Sequence, residues 1–169
     1  AAREKYGDPE NDLSPRIKPN TQVSSTLTTY RQDGRLTVTI NSDSELETIG
    51  QTIEVIIVAS SCCNNVSEFV LTSYRQLKSI QVGDECFSRV QKVSLENLPS
   101  LTDITVGTNS FTKKMNGWEE NKTRHFHIVS CPQLASITIG QYSFSDYGGE
   151  FELKDLPELV SINIGIYDK

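Results

Sequence analysis

The residues with the clearest chemical potential are the two histidines of the chain, His125 and His127. One residue, Phe126, separates them in an alternating, strand-like run. This spacing places both imidazoles on one strand face, where they can hold a metal ion. Glu150 and Glu152 occupy the equivalent positions of a later, similar run, which leaves a weak divalent site as an alternative. Solvated charges that face each other across neighbouring strands explain the same pattern, so we predict no metal site and no cofactor.

The four cysteines, Cys62, Cys63, Cys86 and Cys131, permit two disulfides in an oxidising compartment. All four fall at core positions of the repeat described below, so buried free thiols are the default interpretation. Cys62 and Cys86 share one repeat position and would lie about 5 Å apart on stacked strands, which makes a disulfide between them a candidate. A catalytic pair of Cys131 with a histidine would need an exposed thiol, and its apolar position argues against one.

Two sequons, Asn65-Val66-Ser67 and Asn121-Lys122-Thr123, permit N-glycosylation if the protein is secreted by a eukaryote. Trp118, the only tryptophan, is a candidate anchor for a partner, because an aromatic ring on a displaced loop supplies a large contact area. The other interpretation is that this ring folds back onto the protein. A glycan on Asn121 would make the surrounding loop a less suitable interface.

Charge and hydropathy exclude two classes of partner. Sixteen basic against twenty-two acidic residues give a net charge of −6, and no Lys/Arg stripe is able to neutralise a run of phosphates, so nucleic acid is not expected. The longest apolar run, Val55-Ile56-Ile57-Val58-Ala59, has the length of a strand, so no integral membrane segment is expected either. The chain begins at Ala1 without Met or an apolar leader, and we expect a processed chain or part of a longer one.

The sequence repeats with a period of 24 residues, and the repeat predicts where these side chains lie relative to one another. The motif L-x-x-I-x-[IV]-G occurs four times, at 77–83, 101–107, 134–140 and 159–165. A small residue and an aromatic follow the first three glycines, as in Cys86-Phe87, and a second alternating run comes next, closed three times by Pro99, Pro132 or Pro157. Alternation over short runs bounded by Gly and Pro predicts strands with one buried face, and identical columns predict that successive repeats stack those faces.

Departures from the period divide the chain. About nine extra residues form an insertion loop at 112–123, because insertions between stacked repeats are displaced as loops. Residues 1–20 are polar and proline-containing, which predicts an extended N-terminal arm. The dipeptide Asp33-Gly34 between two alternating runs predicts a β-hairpin, which we place as a cap at 21–52 on a repeat region at 53–169.

The columns of residues 77–83, then Cys86-Phe87, then Glu96-Asn97-Leu98-Pro99, resemble leucine-rich repeats of the irregular type found in protist surface proteins, with the BspA-like surface antigens as broader relatives. The resemblance covers about residues 53–169. We therefore predict a mainly β fold, a leucine-rich-repeat-like β-solenoid with rungs of about 24 residues and an N-terminal β-hairpin cap. The resemblance implies a repeated strand surface presented to proteins or glycans, at the cell surface or outside the cell, with a cytoplasmic adaptor as the alternative.

The outward positions of the first strand in each repeat carry small hydroxyl, amide and carboxyl groups that suit sugars or a polar protein surface: Ser79, Gln81, Asp103, Thr105, Ser136, Thr138, Ser161 and Asn163. The other interpretation is a solvated strand face that serves solubility and β-propensity. We predict a non-catalytic scaffold that binds protein or glycan, with head-to-tail assembly into a filament as an alternative, since the ends of stacked sheets are exposed edges. A carbohydrate-active parallel β-helix enzyme would need paired acidic groups on this face, where only Asp103 occurs.

Overall fold

The computed structural model describes residues 27–113 and 121–165, and over these ranges the protein is mostly β, with 39% strand. The elements described, in chain order, are β1 (Thr29–Gln32), β2 (Arg35–Ile40), α1 (Asp43–Leu46), β3 (Val55–Val58), β4 (Glu68–Thr72), β5 (Ser79–Val82), β6 (Lys92–Glu96), β7 (Asp103–Val106), β8 (His125–Val129), β9 (Ser136–Ile139), β10 (Phe151–Lys154) and β11 (Ser161–Ile164). The predicted arm at 1–20 lies outside the described residues.

The strands form two sheets. Seven strands pair in the order β1-β2-β3-β5-β7-β9-β11, and four pair in the order β10-β8-β6-β4. All neighbours are parallel except β1 and β2. Neither sheet closes, and the arrangement is that of an α/β-type sheet fold. The prediction of a leucine-rich-repeat-like β-solenoid with regular rungs is therefore wrong, because the two sheets are open and differ in strand number.

The predicted hairpin exists as β1 and β2. Asp33 and Gly34 adopt φ values of 50° and 76°, the left-handed pair that matches the twist of a two-residue hairpin turn. Strand β2 then pairs in parallel with β3, with Val38 opposite Ile56. The hairpin thus adds two strands to the edge of the larger sheet, where its backbone donors and acceptors are satisfied by the neighbouring strand.

Strand pairing follows the repeat columns of the sequence. Ile56 lies opposite Ile80, which lies opposite Ile104 and then Ile137, always in parallel register. In the smaller sheet Phe69, Val93 and Phe126 align in the same way. These inward side chains are buried in one continuous apolar cluster, because in-register stacking covers each one with its equivalent on the next strand.

A row of aromatic rings runs through this cluster. The centroids of Phe87 and Phe111 are 4.7 Å apart, and those of Phe111 and Phe144 are 4.6 Å apart with nearly parallel planes. Phe69 extends the row beyond Phe87 at 4.8 Å. Such spacing brings each ring into van der Waals contact with both neighbours. The phenylalanine row therefore connects successive repeats along the stacking direction.

The glycines that follow β5, β7 and β9 of the larger sheet, Gly83, Gly107 and Gly140, are required by close approach. A Cβ on Gly140 would lie 2.4 Å from the carbonyl carbon of Gly107, and one on Gly107 would lie 2.6 Å from that of Gly83. None of these three glycines has positive φ. Twelve non-glycine residues of the repeats have left-handed backbone instead. The first row is Ser61, Glu85, Asn109 and Tyr142, the second is Cys63, Phe87, Phe111 and Phe144, and the third is Ser73, Asn97, Ser130 and Asp155. These residues form three rows at equivalent turn positions.

Arg124 is fully buried at the end of the insertion. Its Nη2 donates to the carbonyl oxygen of Ser88 at 2.6 Å, and its Nη1 donates to that of Phe111 at 3.0 Å and to the Asp146 carboxylate at 3.1 Å. The guanidinium also lies 5.3 Å from the Tyr147 ring centroid, close enough for a cation–π contact. One side chain therefore links three successive repeats, and its charge is paired inside the protein.

Candidate binding surfaces

The predicted polar strand face exists as two rows on the outside of the seven-stranded sheet, which we call the wide face. One row is Ser79, Asp103, Ser136 and Ser161, and the other is Gln81, Thr105, Thr138 and Asn163. Gln81, Thr105 and Asn163 are exposed, whereas Ser79 is buried, which departs from the prediction for that residue. The rows are continuous because neighbouring strands pair in register.

Hydrogen bonds within the wide face already occupy several of its polar groups. Ser79 Oγ donates to Asp103 Oδ2 at 2.5 Å, and Gln81 Nε2 donates to Ser79 Oγ at 3.4 Å. Thr102 Oγ1 donates to the second oxygen of Asp103 at 2.9 Å. A ligand on this part of the face would have to replace these internal bonds, so the accessible contacts lie farther along, at Thr105, Thr138 and Asn163.

A second surface follows the ends of the four strands of the smaller sheet, and we call it the proline groove. It is a groove of ≈ 640 Å³ lined by Ser73, Arg75, Asn97, Pro99, Ser130, Pro132, Asp155 and Pro157. Each strand contributes a polar residue and, two positions later, a proline, except that β4 contributes Arg75. The three prolines are exposed. This volume is in the range of ligand-binding pockets.

The polar row of the proline groove is rigidly placed. Ser73, Asn97 and Ser130 each have positive φ, and their backbone N–H groups donate to Glu96, Val129 and Lys154 carbonyl oxygens on the next repeat at 3.0 to 3.2 Å. These hydrogen bonds between repeats hold the backbone from which the three side chains extend. The sequence signal for this surface was the recurrence of proline two residues after the turn residue, which sequence reasoning treated only as the end of each repeat.

The groove also carries a charge gradient along its length. Arg75 lies at the end of β4, and Asp155 lies at the end of β10, three strand spacings or about 14 Å away. Between them the lining is uncharged. An extended ligand with an acidic group toward β4 and a basic group toward β10 would match these ends, and about four residues of extended polypeptide span that distance.

A third cluster lies on the outer face of the smaller sheet. Its members are His125, His127 and Glu150, which we call the histidine cluster, and one donor atom from each lies within 4.8 Å of the others. Parallel pairing of Phe151 with Phe126 places Glu150, the residue before β10, beside His125. The sequence prediction was that no metal site exists here. The structure brings a third donor to the two histidines.

No protein-family model, curated protein or solved structure matches this chain. Within residues 27–113 and 121–165, no helix combines the length and apolar character needed to cross a bilayer.

The cysteines are free and buried. Cys62 Sγ lies 2.9 Å from Cys63 Sγ, and Cys86 Sγ donates to the Ala59 carbonyl oxygen at 3.1 Å, so the candidate Cys62–Cys86 disulfide is not formed. Burial raises the pKa of the Cys63, Cys86 and Cys131 thiols above the usual value. Because the thiolate is the reactive form, these side chains are poor nucleophiles near neutral pH.

The two sequon asparagines differ in their surroundings. Asn65 is exposed, and its Nδ2 donates to Asp43 Oδ2 at 3.0 Å. Asn121 is half-buried, and its Oδ1 accepts hydrogen bonds from the backbone and the hydroxyl of Thr123 at 3.0 and 2.7 Å. Asn65 is therefore the more accessible of the two in the folded protein. Trp118 lies outside the described residues.

Proposed function

We propose that this protein is a non-catalytic scaffold that binds a protein or glycan ligand at the cell surface or outside the cell, as its resemblance to leucine-rich-repeat surface proteins implies. The observation that carries the proposal is the proline groove, in which equivalent residues of four neighbouring strands form one continuous, open surface. Repeated surfaces of this kind present many small contacts to one extended ligand. The wide face offers a second, flatter surface of the same repeated type.

The lining of the groove favours an extended polypeptide over a glycan. Three exposed proline rings provide apolar contact, and the opposite charges of Arg75 and Asp155 select a direction along the groove. Ser73 and Asn97 supply hydroxyl and amide groups that can pair with a ligand backbone, whereas the Ser130 hydroxyl donates to Asp155 Oδ2 at 3.4 Å. A glycan would use the same polar row but gain little from the charge gradient.

The described chemistry supports a binding role without catalysis. The thiols with raised pKa are buried, and the acidic residue of the wide face, Asp103, is held in hydrogen bonds with Ser79 and Thr102. Acid–base cleavage of a glycosidic bond needs two carboxyl groups several ångströms apart at the ligand. The wide face offers one such group among the residues assigned to it.

The test is a binding screen of the intact chain against a peptide-display library and a glycan array. A ligand recovered from either is then titrated against the Arg75→Glu and Asp155→Asn double variant. Asn tolerates positive φ well, so this variant keeps the turn. We expect affinity to fall by about tenfold or more, since two charge contacts are lost.

Thr105→Lys, an exposed change on the wide face, is the matched control and is expected to leave this affinity unchanged. Loss of binding in Thr105→Lys alone would assign the ligand to the wide face instead of the groove. Cleavage of the bound ligand, followed by mass spectrometry, would contradict the non-catalytic role. A chain that recovers no ligand from either screen would overturn the proposal as a whole.

A second candidate function is end-to-end assembly of copies of this chain, and the edge strand β11 favours it. Ile162 and Ile164 occupy apolar columns whose inner members are buried, yet both are exposed. The next strand in an extended sheet would cover them and pair with the free backbone edge. A second copy would bring its β1, which runs antiparallel to β2 and therefore antiparallel to β11.

Light scattering at increasing protein concentration tests this assembly. We expect particles larger than a monomer for the natural chain and a monomer for Ile162→Lys with Ile164→Lys, because two charges cannot be buried unpaired at the contact. Val70→Lys, an exposed change on the outer face of β4, serves as control and should assemble normally. A natural chain that stays monomeric at every concentration would exclude this function.

A further inference from the structure

We propose that His127, Glu150 and His125 form a binding site for a divalent transition-metal ion, zinc, on the outer face of the smaller sheet. This site is separate from the proline groove, because it lies at the start of β8 and β10 and the groove lies beyond their ends. It is also independent of the proposed ligand-binding role. The inference rests on the placement of the donors, on one unsatisfied nitrogen and on the chemistry of the donor set.

Strand geometry creates the donor set. His125 and His127 alternate with the buried Phe126 on β8, so their side chains leave the same face of the strand, and their ring centroids are 6.1 Å apart. Glu150 precedes β10 and lies alongside them through the β8–β10 pairing. A zinc ion with bonds of about 2 Å holds its donors within about 4 Å of one another, so donor atoms that already lie within 4.8 Å need only a small approach to bind one ion.

Nε2 of His127 is the atom that points to a ligand. It is buried and has no hydrogen-bond partner among the described residues. Glu150 Oε2 lies 3.3 Å away, yet the arrangement is outside hydrogen-bond geometry. A buried nitrogen without a partner destabilises the folded state. An ion between this nitrogen and the carboxylate would remove that penalty and hold both donors.

His125 has a different part in the site. Its Nδ1 accepts a hydrogen bond from the Glu150 backbone N–H at 3.0 Å, so the neutral ring carries its proton on Nε2. Metal binding by Nδ1 would break this bond, and so would metal binding by Nε2, because the ring proton would then move to Nδ1. His125 is therefore expected to contribute less affinity than His127 and Glu150, which gives the three residues a definite order.

The donor set selects the ion. Two imidazoles and a carboxylate match the ligands of zinc sites that keep an open position for water, whereas Ca²⁺ and Mg²⁺ prefer sites built from oxygen donors. Neighbouring charges nearly balance: Lys92 lies opposite His125 on β6, and Glu152 lies opposite His127 on β10. Half-buried histidines and an exposed glutamate leave the ion accessible from solvent.

The experiment is titration of the chelator-treated full chain with Zn²⁺ by calorimetry, with Mg²⁺ and Ca²⁺ as comparison ions. We expect one Zn²⁺ per chain and no heat of binding from the other two ions. His127→Gln should weaken Zn²⁺ binding by about a hundredfold and Glu150→Gln by about tenfold or more, because each removes a direct ligand. His125→Gln should weaken it by less than about tenfold.

Glu152→Gln is the matched control, since it changes a neighbouring carboxylate outside the cluster and should alter affinity by less than about threefold. Circular dichroism of each variant verifies that the strands are intact. Substitution with Co²⁺ gives a separate readout, because nitrogen and oxygen ligands produce visible bands without the intense ultraviolet thiolate-to-cobalt band.

Three results would overturn the proposal. The natural chain could fail to bind Zn²⁺, which would leave the cluster as a histidine–carboxylate contact. Binding could persist unchanged in His127→Gln, which would place the ion elsewhere. The cobalt form could show the thiolate band, which would assign the ion to the buried cysteines.

Discussion

The last strand of each sheet and the strand beside it carry the same apolar residue at an equivalent position, but the environments of the two residues differ. Ile137 on β9 is 1% exposed and its equivalent on β11, Ile162, is 44% exposed; Phe126 on β8 is 4% exposed and its equivalent on β10, Phe151, is 58% exposed. Each pair lies in register on adjacent parallel strands. The residue types are identical within each pair, so the difference comes only from whether a further strand covers them.

This comparison shows that burial in this fold is supplied by the neighbouring strand. A side chain in a parallel, in-register sheet is covered mainly by its equivalents on the two adjacent strands. An inner residue has both neighbours and an edge residue has one. The same substitution should therefore cost much more on an inner strand than on an edge strand.

The largest effect is expected in the phenylalanine row. Phe111→Ala removes a fully buried ring between Phe87 and Phe144 and should lower the free energy of unfolding by about 3 to 5 kcal/mol. Phe151→Ala, at the edge of the smaller sheet, should lower it by less than about 1.5 kcal/mol, since much of that ring is already in water. Urea unfolding followed by circular dichroism measures both. Equal losses in the two variants would refute the comparison.

A backbone clash should give the next largest effect. In Gly140→Ala the new methyl group meets the Gly107 carbonyl at 2.4 to 2.5 Å, and main-chain atoms on a paired strand cannot move aside without breaking the ladder. We expect a loss of about 3 kcal/mol in unfolding free energy. Gly50→Ala is the control, because nothing lies within 4 Å of its new Cβ. Similar stability of the two variants would mean that the strands can separate freely.

Removal of a single methylene group should give a smaller difference in unfolding free energy between an inner strand and an edge strand. Ile137→Val should lower the free energy of unfolding by about 1 kcal/mol, because it leaves a small void between two covering strands. Ile162→Val on the edge strand should change it by less than about 0.5 kcal/mol. Thermal and urea unfolding of the purified variants give the two values. If Ile162→Val is the costlier change, then another copy of the chain covers β11 in solution.

A substitution of Glu54, near the opposite end of the larger sheet, should have a smaller and pH-dependent effect on the free energy of unfolding. Glu54 accepts hydrogen bonds from Lys78 Nζ at 2.6 Å and from the Leu36 backbone N–H at 2.7 Å, and these contacts lower its pKa. A lowered pKa stabilises the folded state above the usual glutamate pKa, and this stabilisation disappears as the pH falls through the lowered value. Glu54→Gln should therefore be less stable than the natural chain near neutral pH.

Urea unfolding of both chains at neutral pH and again below about pH 4 checks this prediction. The difference between them should shrink with falling pH, because the natural carboxylate becomes protonated and resembles the amide. A difference that grows on acidification would show that Glu54 is not held in its charged form.

Strand positions and register were predictable because they follow from short periodic patterns in the sequence. The columns headed by Ile80 and Phe69, and the Asp33-Gly34 turn, each depend on a few consecutive residues whose side-chain direction alternates. The architecture was not predictable in the same way. An open pair of sheets and a stack of regular rungs use the same alternation, so the alternation alone does not distinguish them.

The surfaces were predictable only in part. The wide face followed from alternation, yet the burial of Ser79 depends on its neighbours Asp103 and Gln81 closing over it. The proline groove depends on turn residues with positive φ that are not glycine, such as Ser73 and Asp155, and their identity gives little warning of that conformation. In the histidine cluster, the repeat already aligned Glu150 with His125, but the approach of the Glu150 carboxylate to within 3.3 Å of His127 Nε2 required the structure.

The buried Arg124 has a consequence for how this protein tolerates change. Its bonds to Ser88, Phe111 and Asp146 hold the start of β8 in register from inside, so the register does not depend on the length of chain between Lys113 and Asn121. Longer or shorter sequences can then be exchanged at that point while both sheets keep their pairing. The protein is in this respect suited to loop grafting, because Arg124, which follows the exchanged segment, is already anchored in the core.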